Sequence, residues 1–155
     1  LAPVKLADTL NTIEKRFLPQ FEQKGIHFEI DAPETIPTIR ADEGRLLQIL
    51  TNLLNNAKAY TPEGGEVTLA VETKQKEIIA SVQDTGIGIP PEELEQIFTR
   101  FYRVDKSRSR HAGGSGIGLT LTKHLVKAHG GEIKVVSQGK DQGSTFKFTL
   151  PTETT

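Results

Sequence analysis

The 155-residue chain contains no cysteine and no methionine. Without thiols, disulfide scaffolds, thiolate zinc sites and cysteine nucleophiles are excluded, and the composition fits a reducing compartment. Long apolar runs are missing as well, since none approaches the ~20 residues that span a bilayer. Neither sign of charge dominates. The formal net charge is −1, which argues against a chain built as a whole to coat nucleic acid or anionic lipid. Any basic function must be local. The opening Leu1-Ala2-Pro3-Val4 is neither a signal peptide nor an ordinary initiation site, so the chain reads as a fragment of a longer protein.

What is present is the composition of a soluble globular domain, 35% hydrophobic and 25% charged, at a length suited to one core. Apolar residues at Leu6, Leu10, Ile13, Phe17, Leu18 and Phe21 predict a helix over 6–24, stopped near Gly25, with Pro19 a candidate kink. Ile26 to Ile30 alternates like a half-buried strand, and a short second strand fits between Thr35 and Arg40. From Asp42 a stronger helix carries the stripe Leu46, Ile49, Leu50, Leu53 and Ala57 and stops at Thr61-Pro62-Glu63-Gly64-Gly65. Val67–Val71 and Ile78–Val82 predict a hairpin turning around Lys74-Gln75. Pro91 opens a short helix through Phe98, and 103–118, rich in Arg, Ser and Gly, predicts a mobile loop. A helix from Leu119 to Ala128, closed by Gly130-Gly131, leads to strands at Ile133–Val136 and Thr145–Leu150. Without strict βαβ alternation, this order favours a single-domain α/β sandwich with one helix-covered sheet.

Four constellations carry candidate chemistry. Asn52 and Asn56 project from one helical face beside the apolar stripe. Asparagine disfavours helix interiors, yet its amide oxygen can ligate a hard divalent cation such as magnesium. An exposed polar face is the alternative, and it suits Asn55. In Asp84-Thr85-Gly86-Ile87-Gly88-Ile89-Pro90, a carboxylate precedes glycines that let the backbone approach a ligand. An exocyclic amine, such as that of adenine, would suit it; an ordinary Asp-rich turn is the alternative.

The third constellation, His111-Ala112-Gly113-Gly114-Ser115-Gly116-Ile117-Gly118, precedes a helix, where exposed N–H groups favour phosphate. It is neither a P-loop nor a Rossmann fingerprint, and Ser115 lacks the glycine two residues on that a nucleophile elbow needs. A flexible linker is the alternative. The fourth is Arg100, Arg103, Lys106, Arg108 and Arg110, interleaved with Phe98, Phe101 and Tyr102. Such a run attracts phosphate oxygens; a nucleic-acid patch or a solvated loop would look similar.

Taken in order, these segments resemble the boxes of bacterial sensor histidine kinases. Asn52-Leu53-Leu54-Asn55-Asn56-Ala57 is similar to their N box, and Asp84-Thr85-Gly86-Ile87-Gly88 to their first glycine box. Phe98-Thr99-Arg100-Phe101-Tyr102-Arg103 resembles the F box, Gly114-Ser115-Gly116-Ile117-Gly118-Leu119 the second glycine box, and Gly143-Ser144-Thr145-Phe146 the third. The likeness runs from about Ile26 to Leu150.

The resemblance implies the Bergerat ATP-binding fold, an α/β (α+β) two-layer sandwich whose mixed sheet of about five strands lies under three helices. It implies ATP and magnesium as ligands. Asp84 would read the adenine amine, with Gly86 and Gly88 leaving room for the nucleotide. Asn56 would hold magnesium, and Asn52 would lie beside the phosphates. Arg103 would reach the terminal phosphate, while Gly114, Gly116 and Gly118 cradle the others; Tyr60, Leu119 and Thr145 would complete the contacts. The loop from Arg103 to Gly114 would be an ATP lid. Asn56 and Arg103 would be the residues that serve transfer of the γ-phosphoryl group to a histidine.

Two departures matter. The lysine expected three residues after the magnesium asparagine is Ala59, and Lys58 lies about 200° around the helix from Asn56 at about 100° per residue. None of His27, His111, His124 and His129 sits in the family's acceptor setting, His-Glu/Asp-Leu-Arg-Thr-Pro. The acceptor is therefore expected on a missing dimerisation and phosphotransfer module, with residues 1–6 continuing from its connector. A response regulator would be the further partner, with no nucleic acid and no direct membrane contact. The domain would be cytoplasmic, in a parent anchored to the bacterial membrane. Alternatives are another Bergerat ATPase, a non-catalytic nucleotide sensor, or an oligonucleotide binder using Arg100 to Arg110.

Overall fold

A computed structural model describes residues 1–88, 117–137 and 142–152. The short helix expected after Pro91, the F box and most of the loop before the second glycine box lie outside the described residues, as do Arg103, Gly114 and Gly116. Strand β1 (Ala2–Val4) leads into helix α1 (Leu6–Lys24), strand β2 (His27–Asp31), strand β3 (Ile39–Ala41) and helix α2 (Glu43–Tyr60). The hairpin β4 (Glu66–Lys74) and β5 (Glu77–Asp84) follows, then helix α3 (Ile117–Ala128), strand β6 (Ile133–Ser137) and strand β7 (Ser144–Pro151).

Five strands form a mixed sheet in the order β2-β4-β5-β7-β6, parallel only between β2 and β4. Period-two alternation decides its two faces. Val67, Leu69, Val71, Ile78, Ala80, Val82, Phe146, Phe148 and Leu150 are buried, whereas Lys147, Gln83 and Glu72 between them are exposed. The three helices of the described residues cover the buried face. This is the expected two-layer sandwich, with one half-solvated face typical of antiparallel pairing.

The predicted core stripes hold, except that Leu18 of α1 lies exposed beside its buried neighbours. All five stripe residues of α2 are at most 1% exposed, so that face forms the centre of the core, each large side chain contributing about 1.5–3 kcal/mol. Asp42 caps α2, its side chain accepting from the Arg45 N–H at 3.0 Å. Helix α1 runs through Pro19 and ends at Gly25, where the Gly25 and Ile26 N–H groups close on the Glu22 and Phe21 carbonyls. Phe21 stacks on Phe28 of β2 with ring centroids 4.7 Å apart, which joins helix layer to sheet.

Two connections fix how α2 and α3 lie against each other. His129, buried just beyond α3, approaches the Leu125 carbonyl at 2.8 Å through Nδ1, and its Nε2 accepts from the Asp42 N–H at 3.1 Å. A carbonyl only accepts and a backbone N–H only donates, so this arrangement uses the neutral ring with its proton on Nδ1. Further along, Asn52 Nδ2 donates to Thr122 Oγ1 at 3.2 Å. Advancing along α2 from Asp42 to Asn52 retreats along α3 from His129 to Thr122, so the helices are antiparallel. The first turn of α3, with Gly118, therefore lies toward the end of α2 that carries Asn56.

Within residues 1–6, the segment expected to continue from a connector, residues 2–4 pair antiparallel with β3, Ala2 opposite Ala41 and Val4 opposite Ile39. Val4 and Leu6 are buried. The start of the described chain is thus stitched to the domain core.

Candidate functional site

Asp84 ends β5 with Val67 of β4 on one side and Ser144 of β7 on the other. Alternation along β5 turns its side chain to the helix-covered face, where it is 5% exposed. Oδ1 accepts from the Gly86 N–H at 2.8 Å and Oδ2 from the Ser144 hydroxyl at 3.0 Å. Burial pushes the carboxyl pKa up, and the hydrogen bonds from Gly86 and Ser144 partly oppose that rise. A carboxylate offers about four lone-pair sites, so the donors from Gly86 and Ser144 still leave it able to accept from a ligand amine.

Two glycines permit this geometry. A Cβ on Gly86 would stand 2.3 Å from the Tyr60 carbonyl oxygen, at the end of α2. The Ile87 N–H donates to that same carbonyl at 3.1 Å. Gly143 has φ +73°, and a Cβ there would lie 2.1 Å from the Asp84 carbonyl oxygen; its N–H donates to Gly86 at 3.1 Å. The first and third glycine boxes are therefore in direct backbone contact. Gly143→Ala combines a collision with left-handed strain and is expected to lower stability by about 2–4 kcal/mol. Chemical denaturation of the variant checks it.

Tyr60 connects the carboxylate to the asparagines. It lies four residues beyond Asn56, one helical turn or about 6 Å of rise, and both are half-buried. Asp84 and Asn56 are thus linked through the Gly86–Ile87 backbone and one turn of α2. Among the described residues the Asn56 amide makes no hydrogen bond, although Asn52 does. A neutral amide oxygen fits a magnesium ion held mainly by phosphates and water. Asn55 is exposed, on the polar face of the helix.

The other expected site residues divide clearly. Gly88 is buried just beyond Gly86, and half-buried Leu119 leans on the core from the first turn of α3. Lys58 turns to α1, where its ammonium donates to Gln20 Oε1 at 2.5 Å. Thr145 pairs opposite exposed Gln83, on the sheet face away from Asp84. Neighbouring strand residues point oppositely, so Ser144 is the member of that box that reaches the carboxylate. The glycine-box pattern marked the segment, but only the register distinguishes its two hydroxyls.

The family model described as histidine kinase-, DNA gyrase B-, and HSP90-like ATPase matches residues 41–154. The chain is 40% identical over 151 residues to the sensor histidine kinase WalK of Bacillus subtilis, a match covering 96% of the chain and 24% of WalK. It is 42% identical over 141 residues to the adaptive-response sensory kinase SasA of Microcystis aeruginosa, covering 90% of the chain and 36% of SasA. The chain thus spans well under half the length of these relatives. Among solved structures, the catalytic domain of the histidine kinase ThkA superposes with TM-score 0.84 at 26% identity, with 97% of each chain covered. Full-length ShkA in complex with AMPPNP gives 0.85 at 35% identity, covering 100% of this chain and 32% of ShkA. Sequence boxes, strand order and these likenesses converge, and the chain belongs to the histidine kinase-, DNA gyrase B- and HSP90-like ATPase family.

Proposed function

We propose that this domain binds ATP with magnesium and donates the γ-phosphoryl group to a histidine on a separate dimerisation and phosphotransfer module. The observation that carries the reading is the buried Asp84 carboxylate joined through Tyr60 to the helix face bearing Asn56. Asp84 accepts from the adenine N6 amine, supported by Ser144, and Gly86 and Gly88 keep that pocket edge free of side chains. Asn56 ligates magnesium, and Asn52 lies toward the phosphates. The metal supplies charge neutralisation of the phosphates. Arg103 and the segment Gly114-Gly116-Gly118 supply the remaining phosphate contacts, Leu119 borders them, and Tyr60 flanks the site at the end of α2.

Phosphoryl transfer depends mainly on positioning and charge stabilisation, so this domain needs no general base of its own. The three histidines among the described residues are compatible with an external acceptor. Exposed His27 faces Glu29 at 3.3 Å on β2, His124 lies exposed on α3, and buried His129 has both nitrogens engaged. The parent protein is proposed to be a sensor kinase that passes the phosphoryl group to a response regulator. Among the described residues no helix is long and apolar enough to cross a membrane. A cytoplasmic position for this domain, with membrane attachment through other parts of the parent, belongs to the same proposal.

The test is phosphorylation of a separately supplied histidine phosphotransfer module with γ-labelled ATP. The expected result is acid-labile label on the module that requires this domain and magnesium. Tight ATP binding without any transfer to the parent's own module would instead favour a nucleotide sensor, the reading to which Ala59 lends weight.

A further inference from the structure

An asparagine amide has two chemically opposite ends, and only the oxygen can ligate a cation or accept from a phosphate-bound water. Whatever holds the nitrogen therefore decides which end is offered elsewhere. For Asn52 one such partner is Thr122, whose Oγ1 accepts from Nδ2 at 3.2 Å. Thr122 is fully buried on α3, at 0% exposure, so its own rotamer is restricted by packing as well as by β-branching. A buried helical threonine directs its hydroxyl proton to the carbonyl of the preceding turn, which leaves the oxygen lone pair as the acceptor for an amide N–H. The contact joins residues separated by 70 positions and ties the helix that opens at Gly118 to the helix that carries Asn52 and Asn56.

We propose that Thr122 is a positioning residue for the metal and phosphate end of the site. By taking the Asn52 nitrogen it turns the Asn52 oxygen away from α3, and it holds the first turn of α3 in register with Asn56. The inference rests on the nucleotide-binding reading of the site, but it assigns a role to a residue outside every glycine, asparagine or aromatic box. Thr122 touches neither nucleotide nor metal. It acts through Asn52, so its removal affects the phosphate end of the ligand and spares the adenine end.

The test compares the whole domain with Thr122→Val, which keeps the shape and removes the hydroxyl, and with Thr122→Ser, which keeps the hydroxyl. Calorimetric titrations with adenosine and with ATP, the latter with magnesium and with chelator, separate the two ends of the site. Loss of one orienting hydrogen bond is expected to weaken magnesium-dependent ATP binding by about tenfold in Thr122→Val. Adenosine affinity stays unchanged, and Thr122→Ser restores the wild-type value for ATP. In the nucleotide-free protein, Thr122→Val shifts the Asn52 side-chain amide resonances and leaves those of Asn56 in place. Unchanged ATP affinity in Thr122→Val overturns the proposal, and so does an equal loss for adenosine and ATP. A shifted Asn52 amide in Thr122→Val, alongside wild-type ATP binding that is indifferent to magnesium, would instead overturn the reading of the site on which this role rests.

Discussion

Asp84→Asn is expected to weaken ATP binding by about 100-fold, the effect of replacing a well-placed acceptor by a donor facing a ligand amine. The substituted amide has one orientation that suits its surroundings. Its oxygen accepts from the Gly86 N–H, and its nitrogen faces the Ser144 hydroxyl, which can accept as well as donate. The hydrogen bonds with the Gly86 N–H and the Ser144 hydroxyl survive, while one carboxylate acceptor disappears. Guanine carries an oxygen where adenine carries the amine, so the preference for ATP over GTP should shrink or invert in the same variant. That reversal separates recognition from damage to the fold.

Stability should move the other way. Burial raises the Asp84 pKa, so the native state holds this proton more tightly than the unfolded chain does. Its stabilising contribution is therefore complete below the unfolded-state pKa and is lost as pH rises through the raised native value. At neutral pH the buried charge burdens the fold, and a neutral amide does not. Thermal unfolding of Asp84→Asn at pH 7 is expected at or above the wild-type midpoint, the difference shrinking as pH falls into the carboxylate range.

The second large effect is expected at Asn56. Alanine is the better helix former, and among the described residues the Asn56 amide has no hydrogen bond to lose, so Asn56→Ala should fold with undiminished stability. In magnesium its ATP affinity should fall by about 10- to 100-fold, toward that of the wild type in chelator, since the ion loses its protein oxygen. With chelator present the two proteins should bind alike. Titrations under both conditions check this, and equal affinities in magnesium would remove Asn56 from the metal site.

Much of this architecture was legible because it is written in local periodicity. The stripe Leu46-Ile49-Leu50-Leu53-Ala57 announced α2, and the alternating runs on either side of Gln75 announced the hairpin, whose turn residue takes φ 55°. Asp84 and the asparagines were likewise recognisable from residue type and spacing. What escaped were contacts between distant segments. Three residues of β1 are too few to show alternation, and their partner strand begins 35 positions after Val4. Ser144 and Thr145 are chemically alike, and only pairing with β5 decides which hydroxyl meets Asp84. Thr122 and His129 read as ordinary polar positions around α3, because nothing local reveals that Asn52 and Asp42 arrive opposite them.

A single magnesium–ATP titration followed by nitrogen-resolved NMR addresses both ends of the site at once. The Gly86 backbone amide reports on the carboxylate, and the Asn56 side-chain amide on the metal. Both should shift along one binding isotherm, while adenosine alone moves only the Gly86 signal. Separate isotherms for the two probes, or an Asn56 amide that never responds, would contradict a single nucleotide bridging them.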